Sequence, residues 1–291
     1  MLDKIVPQPT QQPVLHSHPL TALQKEHIFE HYQRALPLMV LDFPHVPFVG
    51  AFHPYGLGNQ PTFSGGWPEL PESIAHVEVT GAQGKRHLYP GLTENAVLWL
   101  VHMGAVGVES WTPSPRDPES VGYARILLRQ SGSAGEQELK YAMLAMRTAL
   151  LECRGLRAVP VLDGDAGAAL FVPFADLPLY EDVRAWLHRL CNAAAEKHPA
   201  LLTCAKKEQA GDRVHLSVEK NAVGQHSKLP YSLAGNPGLH MVTPIEWNEL
   251  GEAHNGMFTA RTSAKRLEHD VFAEQAAAIG EQRFSDVRST V

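Results

Sequence analysis

The chain has 291 residues and a formal net charge of −6, from 25 Lys and Arg against 31 Asp and Glu. That length can bury a sizeable core in one large domain or two small ones, and 23 glycines and 22 prolines are too few for a fibrous or disordered chain. The mildly acidic balance excludes a surface coated for nonspecific nucleic-acid binding and leaves room only for a local basic groove. Three cysteines, Cys153, Cys191 and Cys204, show no CxxC spacing and read as reduced, buried thiols. Neither a secretory signal nor an apolar run of about 18 residues is visible. The expectation is a soluble, cytoplasmic globular protein with no membrane contact.

In chain order, residues 1–19 are rich in Pro and Gln without periodicity and read as a flexible arm. Helical periodicity follows from Thr21 to about Leu36, with Ile28, Phe29 and Tyr32 on one face. Residues 42–73 mix Pro and Gly with many aromatics, so they are irregular but packed rather than a linker. Strand-like runs at 76–80 and 85–89 flank Gly81-Ala-Gln-Gly84, a hairpin. Thr93 caps a helix reaching Met103, and residues 122–128 form an apolar strand. Ser133 and Glu136 have capping-box spacing for a helix with an apolar stripe of Leu139, Ala142, Met143, Met146 and Leu150. Two short apolar runs, 158–162 and 168–172, bracket a turn at Asp163-Gly-Asp-Ala-Gly167. A helix through Val183, Trp186, Leu187, Leu190 and Ala194 stops before Pro199, and strands near 201–204 and 213–218 come next. The last 25 residues read as helical with a polar end. The order is mixed α/β with helices covering a sheet.

Several constellations could carry chemistry. His27-Ile-Phe-Glu30-His31 matches H-x-x-E-H, with two imidazoles one helical turn apart, but nothing nearby supplies a third ligand and a solvated helix face is the simpler reading. Asp163 and Asp165 resemble the start of a calcium loop that lacks its later ligands, so turn chemistry suffices. Residues 81–86 are too short for a P-loop, with Arg86 where Ser or Thr should stand. No G-x-S-x-G elbow occurs. Lys206, Lys207, Arg213, Lys220 and Lys228 form a basic excess suited either to phosphate contact or simply to solvation.

The order of segments resembles the primase-polymerase domain of bacterial DNA ligase D, of the archaeo-eukaryotic primase superfamily. The likeness is clearest in KHPALLTCAKKEQAGDRVHLSVEKNAVGQHSKLPYSL (197–233), TPIEWNEL (243–250), FTART (258–262) and LTENAVLWLVHMGAVGVESW (92–111). It implies a primase-polymerase fold, a mixed sheet flanked by helices with an RRM-like half, over residues 20–270, followed by a C-terminal helix and polar tail at 271–291. The family's chemistry needs three Asp that hold two divalent metals. The resemblance places them on Ile126, Leu128 and Ser217, none a carboxylate. The family's triphosphate hairpin falls on Asp163–Ala169, with Ala166 in place of Lys, Ala169 in place of His, and Asp163 and Asp165 added. Two like charges there would repel a triphosphate. An Arg-x-Arg becomes Ala234-Gly235-Asn236, and one family Lys aligns near Leu15.

Lys25 falls on the family's contact to a DNA 5′-phosphate, and Lys206, Lys207, Arg213 and Asn221 are further candidate phosphate contacts, with fold maintenance as the plain alternative. The resemblance therefore implies a noncatalytic member with no metal and no cofactor, binding 5′-phosphorylated DNA ends or DNA-repair proteins in end joining. Two rivals stay open: different metal-dependent chemistry or residual nucleotidyl transfer, and a protein-interaction module with no nucleic-acid role.

Overall fold

The computed structural model describes residues 20–80, 86–111, 113–114, 117–206 and 209–290. They gather into two compact units. One comprises the described residues through Pro118 with Val223–Val242 and Phe258–Asp270, and the other Glu119–Ala222, Thr243–Met257 and Val271 onward. Each unit is assembled from three stretches of chain. No Pro/Gly linker therefore marks a boundary, and the sequence reads as one continuous domain over 20–270.

In the first unit, helix α1 (Ala22–Asp42) starts where Thr21 and Gln24 cap each other, the Thr21 hydroxyl accepting the Gln24 N–H and the Gln24 side chain accepting the Thr21 N–H. It runs through Pro37 well beyond the expected Leu36 and buries Ile28, His31, Tyr32, Ala35, Leu36 and Met39, a stripe at helical spacing. Phe29, expected on that stripe, is exposed instead, because it sits one residue off the buried face. Strand β1 (Phe48–Phe52) is buried throughout and pairs antiparallel with β2 (Thr62–Phe63) and with β5 (Gly107–Ser110). The hairpin of β3 (His76–Thr80) and β4 (Arg86–Pro90) matches the sequence, though its connection at 81–85 lies outside the described residues. Helix α2 (Glu94–His102) is capped by Thr93 as expected. Strand β13 (Ser227–Lys228) completes the sheet on the free side of β5. The Tyr32 hydroxyl donates to the Val106 carbonyl at 2.8 Å and accepts the Leu233 N–H at 3.3 Å, tying α1 to the segment before β5 and to the Val223–Val242 stretch.

After β6 (Pro113–Ser114) and β7 (Asp117–Val121), the second unit is built on β8 (Tyr123–Gln130), α3 (Glu136–Glu152), β9 (Val159–Leu162), β10 (Gly167–Pro173), α4 (Tyr180–Lys197), β11 (Leu202–Thr203) and β12 (Val214–Ser217). Strand order is β11-β12-β8-β10-β9-β14, with β14 at Thr243–Pro244, and only the β11–β12 pair is parallel. Within it, β12-β8-β10-β9 with α3 after the first strand and α4 after the third is the β-α-β-β-α-β order of an RRM, as the sequence implied. Helix α3 begins at Gly135, whose N–H the Glu138 carboxylate accepts at 2.9 Å; Ser133 and Glu136 do not form the expected box. The Ser133 N–H is taken instead by Asp212. Beyond the expected C-terminal helix, a second short helix follows before the exposed residues 288–290. Helices α5 (Val271–Ile279) and α6 (Phe284–Val287) bury Val271, Phe272, Phe284 and Val287 in this second unit. Among the described residues, no helix is long and apolar enough to cross a membrane.

Candidate functional site

Directly opposed residues of paired strands point to the same side of a sheet, so the register of the six-stranded sheet sorts its side chains. Leu127 of β8 opposes Ala169 of β10 and Ser217 of β12, and Arg129 opposes Gly167 and His215. One face therefore carries Arg125, Leu127, Arg129, Ala169, Phe171, His215 and Ser217. The other carries Ala124, Ile126, Leu128, Ala168, Leu170 and Leu216. Ile126 and Leu128 are fully buried on that second face, while Leu127 is half-buried and Arg129 exposed. This corrects the sequence alignment. Ile126 and Leu128 cannot share a site with Ser217 and Ala169; the strand positions that do are Arg125, Leu127 and Arg129. None of these three positions carries a carboxylate either.

The hairpin at this face is closed on itself. Asp163 accepts the Asp165 N–H at 2.8 Å, and its own N–H donates to the Gly167 carbonyl. Asn255 accepts the Gly164 N–H at 2.9 Å and donates to the Gly167 carbonyl at 3.1 Å. Gly167 is required there, since a Cβ would lie 2.5 Å from the Leu128 carbonyl oxygen. Asp163 is buried and lies 3.3 Å from the Arg129 guanidinium. Arg129 thus opposes Asp163, while Asp165 and Ala166 are exposed and Ala169 is buried. A calcium loop turns several oxygens toward an ion, and here an oxygen of Asp163 faces the loop's own amide. Among the described residues, no three His, Cys, Asp or Glu side chains gather closely enough to hold a metal ion.

The candidate phosphate contacts fare unequally. Lys25 is exposed on α1, and Lys206 is exposed after β11. Lys207 lies outside the described residues. Asn221 is 2 % exposed and is no phosphate ligand, because its amide accepts the Arg125 N–H at 2.8 Å and donates to the Arg125 and Val218 carbonyls. It continues the ladder of β8 where β12 has ended. Arg213 spends its guanidinium on the carbonyls of Ala210, Gln209 and Pro199, holding the turn before β12.

In the first unit, Ala234 is fully buried, and a Cβ at Gly235 would lie 1.7 Å from the His53 ring nitrogen. Asn236 accepts the His240 N–H at 3.2 Å, so this segment forms a self-satisfied turn. Of the H-x-x-E-H residues, Glu30 is exposed and His27 half-buried as a solvated face would have it, but His31 is fully buried, with Nε2 donating to the Tyr231 carbonyl and Nδ1 accepting the Ser263 hydroxyl, both at 2.9 Å. Burial pulls its pKa down to about 4, which keeps it neutral. Its position at i+3 from Ile28 on the apolar stripe was the one sequence signal for that burial. Nearby in sequence, Asp42 at the end of α1 shares a hydrogen bond with Asp270, which also accepts the Tyr231 hydroxyl at 2.9 Å. Burial, and then the charge of Asp270, raise Asp42 to about 8. No local pattern announced that pair.

A six-stranded sheet with an RRM-like strand and helix order, and with a β-hairpin at its β9–β10 end, is the architecture of a primase-polymerase type. The family described as LigD, primase-polymerase domain, matches residues 24–272, and the chain belongs to that family. Among solved structures, the chain is similar to the polymerase domain from Mycobacterium tuberculosis Ligase D in complex with DNA. The TM-score is 0.77 at 20 % identity, over 94 % of this chain and 97 % of that one. No curated protein matches.

Proposed function

We propose that this LigD polymerase-domain relative does not transfer nucleotides and instead serves as a cytoplasmic binding module at DNA ends or on end-joining repair proteins. One observation carries the reading. The strand positions that share a face with Ala169 and Ser217 are Arg125, Leu127 and Arg129, and none of them supplies the carboxylate pair that two-metal phosphoryl transfer needs. Ala166 and Ala169 also leave the hairpin without cationic or imidazole donors for a triphosphate. Rival metal chemistry at Asp163 and Asp165 is disfavoured, because Asp163 already serves a backbone amide and Arg129. DNA contact rests on family membership and on the exposed Lys25 and Lys206.

Two measurements test the reading together. Fluorescent nucleotide anisotropy with Mg²⁺ or Mn²⁺ should show no saturable, metal-dependent binding at micromolar protein; such binding, or primer extension, would refute the noncatalytic reading. Gel shifts should show weak, salt-sensitive retention of recessed ends, favoured by a 5′-phosphate and reduced in Lys25→Ala. Equal retention of phosphorylated and unphosphorylated ends by both proteins would remove Lys25 from the account.

A further inference from the structure

In the unit built on the six-stranded sheet, α3 buries one stripe and leaves a second apolar stripe in water. Tyr141, Leu144 and Leu151 are 54 %, 41 % and 42 % exposed. Their spacing of three and seven residues sets them along one side of the helix, over a length of about 15 Å. Single exposed apolar side chains are ordinary, whereas an aligned set calls for a partner. At its C-terminal end the stripe runs into a cavity of about 480 Å³ lined by Leu150, Leu151, Leu156, Trp247 and Ile279.

Two arginines stand at this cavity. Arg147 lies one helical turn before Leu151, with its guanidinium 4.8 Å from the centre of the Trp247 ring, and Arg157 lines the same space. Both are exposed. Arg147 has its cation-π contact, and Arg157 is engaged through its backbone with Gln282; among the described residues neither forms an ion pair with a carboxylate. Arginine beside an aromatic ring at the rim of an apolar pocket is the composition of a recognition hot spot. Two cations without counter-charges next to low-dielectric walls favour an anion.

We propose that this cavity and the exposed stripe of α3 form a docking groove for an acidic amphipathic peptide segment of a partner protein. Its large apolar side chain enters the cavity, its neighbouring carboxylates meet Arg147 and Arg157, and further apolar side chains lie along Leu144 and Tyr141. A small anionic ligand would fill the cavity but leave the rest of the stripe bare, and a nucleic acid would have little use for the apolar side chains. A helix-in-groove mode uses all of these features. The site is independent of the open sheet face and of any DNA contact by Lys25.

The test uses the full chain and a panel of fluorescein-labelled 16-residue amphipathic peptides with Leu and Phe at helical spacing. One set carries Glu on the polar positions, one carries Lys, and one has the acidic sequence scrambled. Anisotropy should show saturable binding of members of the acidic set, about tenfold tighter than the Lys set. Arg147→Glu/Arg157→Glu should reverse that preference, and Leu151→Glu should weaken both. These positions are exposed, so circular dichroism and melting should stay at wild-type values, and Lys25→Ala should bind the acidic peptides unchanged. Failure of every acidic peptide, equal binding of acidic and Lys sets, or insensitivity to the charge reversal would each overturn the proposal. So would displacement of the peptide by single-stranded oligonucleotide, or a monomer–dimer equilibrium in sedimentation abolished by Leu151→Glu, because the groove would then belong to nucleic acid or to a second copy of the chain.

Discussion

Asp42→Asn should remove a loss of stability that the native protein suffers on going from neutral to mildly alkaline pH. Asp42 is raised to about 8 from an ordinary carboxylate value of 3.8, because it is largely withdrawn from water and faces Asp270. A carboxyl whose folded pKa lies above its unfolded one holds its proton longer in the folded state. Its contribution is full below about pH 4 and is lost progressively as pH rises to about 8. His31 works in the opposite sense. Its pKa is pulled to about 4 from 6.5, so its contribution is full above pH 6.5 and is lost as pH falls toward 4. Between about pH 4 and 6.5 the two slopes oppose each other, and above 6.5 the Asp42 slope stands without that of His31. Each pH unit there costs about 1.4 kcal/mol, so the native protein should lose about 2 kcal/mol between pH 6.5 and pH 8. Other shifted carboxylates, such as Asp176 and Asp212, are lowered and act only in acid. Asparagine keeps a donor to Asp270 without a titrating proton. Denaturant unfolding across this range, followed by tryptophan fluorescence, should give a flat profile above pH 6.5 for the variant and expose the His31 slope below it. A variant that declines in parallel with wild type above pH 6.5 would show that Asp42 is not the group that titrates.

Three further substitutions read the sheet and its hairpin. Ile126→Asp should cost on the order of 4 kcal/mol in unfolding free energy, because it buries an unpaired carboxylate in the core, whereas half-buried Leu127→Asp should cost about 1 kcal/mol; equal losses would contradict the register. Gly167→Ala should lower the melting temperature by several degrees, about 2–3 kcal/mol, since its Cβ meets the Leu128 carbonyl, and a neutral result would mean that the hairpin relaxes freely. Asn221→Ala leaves the buried backbone N–H and carbonyl of Arg125 without its amide and should cost about 2–3 kcal/mol; hydrogen exchange at the Arg125 amide should accelerate in step, and unchanged protection would refute the ladder role.

Much of the fold was legible along the chain. Thr93 before an acidic first turn, the Leu139–Leu150 stripe, and the two apolar runs around Asp163–Gly167 are local patterns of period 3.6 or 2, and they became α2, α3 and the β9–β10 hairpin. The spaced family motifs placed the RRM-like order, and the absence of carboxylates on the relevant strands was already visible. Register was not. Ile126 and Leu127 are both branched and apolar, and a one-residue slip exchanges the faces of a strand, so only the pairing of Leu127 with Ala169 and Ser217 could decide which of them faces the site. The same limit hid the work of polar residues far apart in sequence. Asn221 holding Arg125, Asn255 clamping Gly164 and Gly167, His31 between Tyr231 and Ser263, and Asp42 against Asp270 all close across long loops. Local periodicity and the order of motifs thus determined that this chain builds helices and a mixed sheet with no acidic pair on its RRM-like strands. Burial and pairing in three dimensions decided which polar residues hold the fold and which remain free to meet a partner, because a buried donor or acceptor must find its complement wherever the fold brings one.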